Sequence, residues 1–461
     1  MKSYLANFIS FLKAPFMLYL AGLLLFTQGL QANEQSKREQ PNIIFIFADD
    51  WGMGDLASHG HPYIKTPTLD QLAKQGTDFM QFTVNSPVCS PSRTAVMTGK
   101  YPARNQVHQH FASEELNKQH DMPDWLPADL VMMPRILQQA GYKTAHYGKW
   151  HLSGGGLSHA PKVNDYGYDD SAVWVGPTPD YKGVKPALLT TSAVNKSIGF
   201  IERNRTSPFF INLWIHESHA PIKPTIEMKA RYPETPEPYK SYYAVITEAD
   251  KQIGRLLQRL KELKLDENTL IIFSSDNGPE LPKPDTNSKL YNSRGSSGGL
   301  RGQKRSLMQG GVNVPFIVRW PGKTPANTID HTSVITAVDL LPTFTAIAKA
   351  KLPAGFESDG EDVTLALTGG NFKRAKPVFW DWRGFSNPAR DHWAQLGMRR
   401  GDWKLLADSS GKRIELFNIA RNRFQQNDLK GEHPEIAKTM KAELMRWQKE
   451  LPVSPYYNNK R

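Results

Sequence analysis

Ile43-Ile-Phe-Ile-Phe-Ala48 is an unbroken apolar run closed by two carboxylates, Asp49 and Asp50. A continuous run of this kind predicts a strand buried on both faces, as in a parallel sheet, because a half-exposed strand would alternate. Three further stretches repeat the design. Leu270-Ile-Ile-Phe273 ends in Ser-Ser-Asp276-Asn277-Gly278, and Phe209 to Ile215 ends in His216-Glu-Ser-His219-Ala-Pro221. Tyr142 to Tyr147 leads into Gly148-Lys149-Trp150-His151. Helical patterns separate these runs. Thr66-Pro67 offers a cap and a proline at the first helical position, and Gly76 ends that helix; Leu130 to Ala140 and Tyr243 to Leu263 read as further helices. Strands alternating with helices predict an α/β fold, a large mostly parallel sheet flanked by helices. Such sheets bind ligands beyond the carboxyl ends of their strands. Every polar cluster named above falls there.

The texture changes after about residue 370. Val378 to Trp382, Ala394 to Met398, Trp403 to Leu406 and Ile414 to Phe417 read as short strands with turns between, and Ile436 to Leu451 as an amphipathic helix. They predict a smaller C-terminal antiparallel sheet plus helix. At the other end, Lys2 and Lys13 precede the uncharged stretch Ala14 to Phe26, and Ala32 is a small residue suited to cleavage. That pattern reads as a secretory signal peptide, too short in its apolar part to serve as a stable membrane anchor. The expected organisation is therefore 1–32 signal peptide, 33–370 main domain and 371–461 C-terminal α+β subdomain, in a periplasmic or secreted protein.

The formal net charge is +12 at pH 7, and +10 once Lys2 and Lys13 leave with residues 1–32. A basic balance favours anionic partners, but no dense basic run or nucleic-acid motif is present, so nucleic acid is not expected. There is one cysteine, so no internal disulfide can form although export is expected. A single cysteine is most often a small buried residue. The neighbours of Cys89 argue for chemistry instead. Pro91 sits where a helix would begin and Gly99 where it would end, which places residue 89 just before a helix N-terminus. Arg93 adds a fixed cation in the first turn. A cysteine so placed is either a thiolate nucleophile of low pKa or a site of modification.

Asp49, Asp50, Asp276 and Asn277 are oxygen ligands at the ends of two strands that would be neighbours. Three carboxylates crowded together call for a cation, and an all-oxygen set suits a hard one, Ca²⁺ or Mg²⁺.

Cys89-Ser-Pro91-Ser-Arg93, followed by Thr94-Ala-Val-Met97-Thr98-Gly99-Lys100-Tyr101-Pro102, resembles the signature of the type I, formylglycine-dependent sulfatase family. The resemblance continues through Gly141-Tyr-Lys-Thr144, Gly148 to His151, His219-Ala-Pro221, Asp276 to Gly278, Leu300-Arg-Gly-Gln-Lys304 and Gly310-Gly-Val-Asn-Val-Pro315, in the family's order. It implies an alkaline-phosphatase-like fold and a sulfuric ester hydrolase. It implies that Cys89 is oxidised to formylglycine by a maturation enzyme during export, and that the hydrated aldehyde attacks sulfur and then releases sulfate. It also implies Ca²⁺ held by Asp49, Asp50, Asp276, Asn277 and residue 89. Arg93 would steady the nucleophile, Lys149 and Lys304 would hold the sulfate, His151 would be the base, and His219 would serve the leaving oxygen, with His216 as competitor for that role.

Gln309 departs from the family, which commonly carries an acid there. Gln106 to Pro127, with His108, His110 and His120, matches no family block and reads as pocket wall or surface decoration. Arg383, Arg390, His392 and the tryptophans 380, 382 and 393 lie where the family's C-terminal subdomain approaches the pocket. Cations there suit a sulfated carbohydrate; the tryptophans fit either that or core packing. The expected substrate is a sulfated polysaccharide fragment of carrageenan or glycosaminoglycan type. The alternatives are a phosphodiester or phosphonate hydrolase on the same fold, and an unmodified protein that only binds sulfated glycan.

Overall fold

The computed structural model describes residues 40–175, 180–181, 183–219, 221–280, 294–384 and 391–453. The expected signal peptide, Ala220 and Arg390 lie outside them. The chain divides into Met1–Pro41 and Asn42–Arg461, and the second unit carries everything that follows.

Its strands in chain order are β1 (Asn42–Ala48), β2 (Thr77–Phe79), β3 (Phe82–Thr83), β4 (Lys143–Lys149), β5 (Asp170–Trp174), β6 (Phe209–Trp214) and β7 (Thr269–Ser275). They continue with β8 (Phe316–Arg319), β9 (Thr328–Asp330), β10 (Ile335–Thr336), β11 (Val378–Asp381), β12 (Leu396–Arg400), β13 (Trp403–Ala407) and β14 (Ile414–Asn418). The main sheet has the order β5-β4-β6-β1-β7-β8-β2-β9. The five strands from β5 to β7 are parallel to one another, and β8 runs against β7.

β1 lies inside that parallel block, and all 7 of its residues are buried. Ile43, Phe45 and Phe47 enter one core, while Ile44, Ile46 and Ala48 enter the core of the opposite face. That is the period-two alternation of a strand with both faces covered. Each of the Ile and Phe side chains contributes about 1.5–3 kcal/mol on full burial, so the strand is held from both sides. The first face packs against helices α2 (Cys89–Thr98) and α5 (Leu340–Ile347). The second packs against α1 (Pro67–Lys74), α3 (Leu189–Asn204) and α4 (Tyr239–Glu262).

β11 to β14 form the expected antiparallel sheet, in sequence order, with helix α6 (Pro434–Lys449) against it. Its core is continuous with the first face of the main sheet: Phe379, Leu405 and Trp447 belong to one cluster with Val84 and Phe316. Trp380, Trp382 and Trp393 are buried, and Trp380 Nε1 donates to the Val84 carbonyl at 2.8 Å. These tryptophans are packing residues. Among the described residues, no helix is long and apolar enough to cross a membrane.

Two local expectations shift. Thr66 precedes α1 but does not cap it, because its hydroxyl accepts from Ala57 N and donates to Asp70. Asp250 of α4 caps instead, accepting from Thr68 N at 3.0 Å and Leu69 N at 2.8 Å. Helix α2 starts at Cys89, two residues before Pro91, with Val88 extended as its cap and Gly99 ending it at φ 61°. A proline in the first turn lacks an N–H that would have had no helical partner anyway.

Candidate active site

The register of β1 against β7 pairs Ala48 with Ser275, so the residues that follow both strands leave the sheet side by side. Oxygens of Asp49, Asp50 and Asp276 lie within 4.8 Å of one another, all buried. Asp50 turns back at φ 64° and its N–H donates to Asp276 Oδ1 at 3.2 Å. Asn277 Nδ2 donates to Asp50 Oδ1 at 2.7 Å. The four sequence-predicted ligands are thus one cluster, made by strand pairing.

Cys89 opens α2 beside that cluster. One turn on, Arg93 directs Nε and Nη2 at Asp276 Oδ2, at 3.1 and 2.6 Å, and Nη1 at the Lys149 carbonyl at 3.2 Å. Lys149 Nζ reaches Asp49 Oδ2 at 2.7 Å. The preceding residue explains how Lys149 gets there. Gly148 has φ 118°, and a Cβ on it would lie 2.0 Å from the Trp214 carbonyl oxygen of β6. Only glycine lets β4 kink at that point against its neighbour. His151 then follows at φ 54°. Its Nδ1 lies 3.2 Å from Cys89 Sγ and its Nε2 3.0 Å from the Phe111 carbonyl.

Lys304 comes from the far loop and donates to Asp50 Oδ1 at 2.5 Å, with Glu280 at 3.6 Å. Gly278 and Gly310 let that loop close on β7, since a Cβ on Gly278 would lie 1.8 Å from the Gly310 carbonyl. On the other side, His216 Nδ1 donates to Asp49 Oδ2 at 2.5 Å, and His219 stacks on His216 at 4.8 Å between centroids. Both histidines are therefore at the site. Ligand atoms of both lie within 4.8 Å of an Asp49 carboxylate oxygen.

Three contributors had no signal in the motifs. Arg305, at φ 71°, pairs with Glu280 beside Lys304. His110 lies 6.1 Å from the His151 ring. Phe111 takes part through its backbone, its carbonyl to His151 and its N–H to Ser90 Oγ at 3.0 Å. Around His110 and Phe111, the segment read as pocket wall or decoration is wall. Arg383 and His392 are placed differently. Arg383 pairs with Asp381 at 3.2 Å and lines a surface cavity with Gln395, Ser409 and Gln448. Among the described residues, no contact brings Arg383 to Cys89. His392 is buried next to Asp391, which holds Arg301 and Ser306 of the Lys304 loop.

Gln309 has a defined partner as well. It accepts from Lys404 Nζ at 2.9 Å, and Lys404 also donates to the Leu307 carbonyl at 2.7 Å. Burial, with Arg399 nearby, holds the Lys404 amine well below its ordinary pKa.

Crowding drives two site carboxylates apart. Burial raises Asp49, but Lys149, His219 and His216 outweigh it and hold it well below the usual carboxylate range. Burial, with Asp49 beside it, pushes Asp276 up to about 7 despite Arg93. A divalent cation among them would remove that conflict. The donor set fits one: Asp49 Oδ1, Asp50 Oδ2 and Asn277 Oδ1 are buried oxygens without a hydrogen bond. Buried polar atoms are otherwise almost always paired. Burial, together with Lys149, Arg93 and His110, keeps His151 well below its ordinary pKa, hence neutral.

The family model described as Sulfatase matches residues 41–350. Arylsulfatase G of Rattus norvegicus is 30% identical over 400 residues, covering 76% of this chain and 73% of the relative. N-acetylgalactosamine-6-sulfatase of Canis lupus familiaris is 29% identical over 392 residues, 75% of this chain and 69% of the relative. Among solved structures, Ps i-CgsB in complex with k-i-k-neocarrahexaose matches with TM-score 0.75 at 26% identity, over 90% of this chain and 94% of that one. The parallel sheet, with buried carboxylates and cations at its strand ends, is thus an alkaline-phosphatase-like hydrolase fold, and the chain belongs to the sulfatase family. Its reaction class is sulfuric ester hydrolysis.

Proposed function

We propose that this sulfatase removes sulfate from a sulfated carbohydrate, with residue 89 in the formylglycine form and Ca²⁺ among Asp49, Asp50, Asp276 and Asn277. When present, the hydrated aldehyde supplies an oxygen nucleophile with a second hydroxyl, and Ca²⁺ supplies a divalent charge that draws in the ester. The observation that carries the reading is the His151 ring. Its Nε2 faces a carbonyl, which can only accept, so Nε2 holds the proton and Nδ1 is an acceptor 3.2 Å from the residue 89 side chain. The Cys89 Sγ stands where a hydroxyl of the modified residue would be. A neutral imidazole aimed there is a base for that hydroxyl's proton.

The other side chains take electrostatic parts. Lys149, held on Asp49, and Lys304, held on Asp50, neutralise charge on sulfate oxygens. Arg93 holds Asp276 and, through the Lys149 carbonyl, the end of β4. His219, stacked on His216 beside Asp49, serves the leaving oxygen.

The sugar class rests on the relatives, one named for an N-acetylgalactosamine sulfate and one holding a carrageenan-type hexasaccharide, and on the positive net charge. A formylglycine-generating partner and export to the periplasm or medium belong to the same proposal. The test is mass spectrometry of residue 89 from protein made with a maturation enzyme, paired with sulfate and phosphate release from matched aryl esters. Formylglycine with sulfate release is expected. An intact thiol in a protein without activity sinks the enzyme, and a preference for phosphate turns it into a phosphate-ester hydrolase.

A further inference from the structure

Among the described tyrosines, only Tyr63 and Tyr239 are exposed, at 62% and 42%. They are not scattered. Both rings meet the same buried ring, Tyr243 of α4: Tyr63 near-parallel at 6.2 Å and 18°, Tyr239 at 5.9 Å. His61 and Tyr232 brace Tyr243 from its other sides, at 5.1 and 5.7 Å. The exposed rings are therefore part of a packed layer. Arg294 lies 5.3 Å above the Tyr239 ring and Lys65 5.6 Å above Tyr232. Nearby, Glu237 pairs with Lys229 at 3.3 Å and Glu248 with Arg231 at 2.6 Å.

We infer that this layer is a second carbohydrate-binding site, outside the catalytic centre, which stacks a pyranose ring of an anionic oligosaccharide on Tyr63 and Tyr239. Held aromatic rings present apolar area at little cost in side-chain freedom. A sugar ring offers a flat face of C–H groups to such a surface. The Arg294 cation over Tyr239 and the Lys65 cation over the bracing Tyr232 suit the sulfates that such a sugar carries. Grouped exposed aromatic rings mark binding surfaces more often than scattered ones do.

The layer is also coupled to the active site by chain connection. His61, Tyr63 and Lys65 follow Asp50 on one loop, and Arg294 precedes Lys304 on another. Asp55 ties the two loops to α4, accepting from Gly52 N at 2.7 Å, Ser296 N at 2.9 Å and the Tyr242 hydroxyl at 3.0 Å. A saccharide chain held on the tyrosines would thus lie on the surface formed by the loops that also carry the catalytic groups. The choice of a sulfated sugar rests on the proposed substrate class; the stacking surface does not.

The test uses the full chain with Cys89→Ala, so that nothing is turned over, and an ι-carrageenan hexasaccharide titrated calorimetrically. Tyr63→Ala/Tyr239→Ala should weaken binding about tenfold, on the scale of one to two lost aromatic contacts. Tyr63→Phe/Tyr239→Phe should keep it. In matured protein without the Cys89→Ala change, both pairs should hydrolyse 4-nitrophenyl sulfate like the parent. Equal binding by the alanine pair, or no binding by the parent, overturns the inference. Tyrosine-dependent binding in a protein that never cleaves aryl sulfate supports it while removing the proposed reaction.

Discussion

Lys304 Nζ stands 2.5 Å from Asp50 Oδ1, while the second oxygen of that carboxylate, Oδ2, is buried without a hydrogen bond. Asp49 repeats the arrangement, with Lys149 on Oδ2 and no hydrogen bond on Oδ1. Each carboxylate is half neutralised by a lysine and half open toward its neighbours. A ligand bound only by the folded state stabilises it by mass action, about 2.7 kcal/mol at a hundred times its Kd. Adding Ca²⁺ to chelator-treated protein should therefore raise the unfolding midpoint. Asp50→Asn should remove most of that rise. A midpoint indifferent to Ca²⁺ and chelator would sink the metal assignment, independently of any activity measurement.

Gly148 and Gly141 make a matched pair for testing how the site is aimed. Both have positive φ, 118° and 91°. An added Cβ meets the Trp214 carbonyl oxygen at 2.0 Å at Gly148 and nothing within 4 Å at Gly141. Alanine at 141 carries backbone strain alone, on the order of 1 kcal/mol, and should leave turnover unchanged. Alanine at 148 must push β4 from β6, and Lys149 and His151 move with it. Gly148→Ala should cost roughly 3 kcal/mol or more in chemical denaturation and lower kcat as well. Equal losses for both variants would mean that the kink does not position the lysine and histidine.

His151→Ala removes the proposed base and the Nε2 partner of the Phe111 carbonyl. Aryl sulfate turnover should fall by about 10²–10⁴-fold, the usual range for general acid-base groups. Formylglycine content has to be read on the same sample, because residue 89 touches the ring. Full modification with near-normal turnover would remove His151 from the proton path.

How much of this was legible beforehand differs by element. The parallel block was plain because β1 and β7 are long apolar runs, and a buried parallel strand has no other way to be written. The metal cluster was legible because strand ends that pair bring their next residues together. β2, β8 and β9, at 3, 4 and 3 residues, are too short to show a period against loop sequence. Thr66 reads as a cap from local preference, but the cap comes from Asp250, 182 positions away from Thr68. Phe111 contributes a carbonyl, which every residue has, so no side-chain pattern could announce it. The exposed tyrosines are invisible as a group until α4 brings Tyr239 and Tyr243 against the loop of Tyr63.

His59 gives a pH dependence whose sign follows from geometry. Its Nδ1 lies 2.6 Å from the Met53 carbonyl and its Nε2 2.6 Å from Asp78. Both partners are acceptors, so both ring nitrogens must donate and the ring is an imidazolium. Burial opposes that charge, but Asp78 and the Met53 carbonyl outweigh it and raise the His59 pKa above its ordinary value. A histidine raised on folding contributes stability that is fully present below its unfolded pKa, about 6.5. That contribution is lost as pH rises through the folded value. The wild-type chain should therefore lose stability between pH 6 and a pH above that raised value, measured by denaturant unfolding at fixed Ca²⁺. His59→Gln keeps one donor but cannot titrate, so it should start less stable at the acid end and show a flatter profile. Because Met53 lies on the loop after Asp50 and Asp78 on β2, the same bond anchors one wall of the site to the sheet. Parallel pH profiles for the two proteins would show that the ring is neutral in the fold and that this wall is held by packing alone.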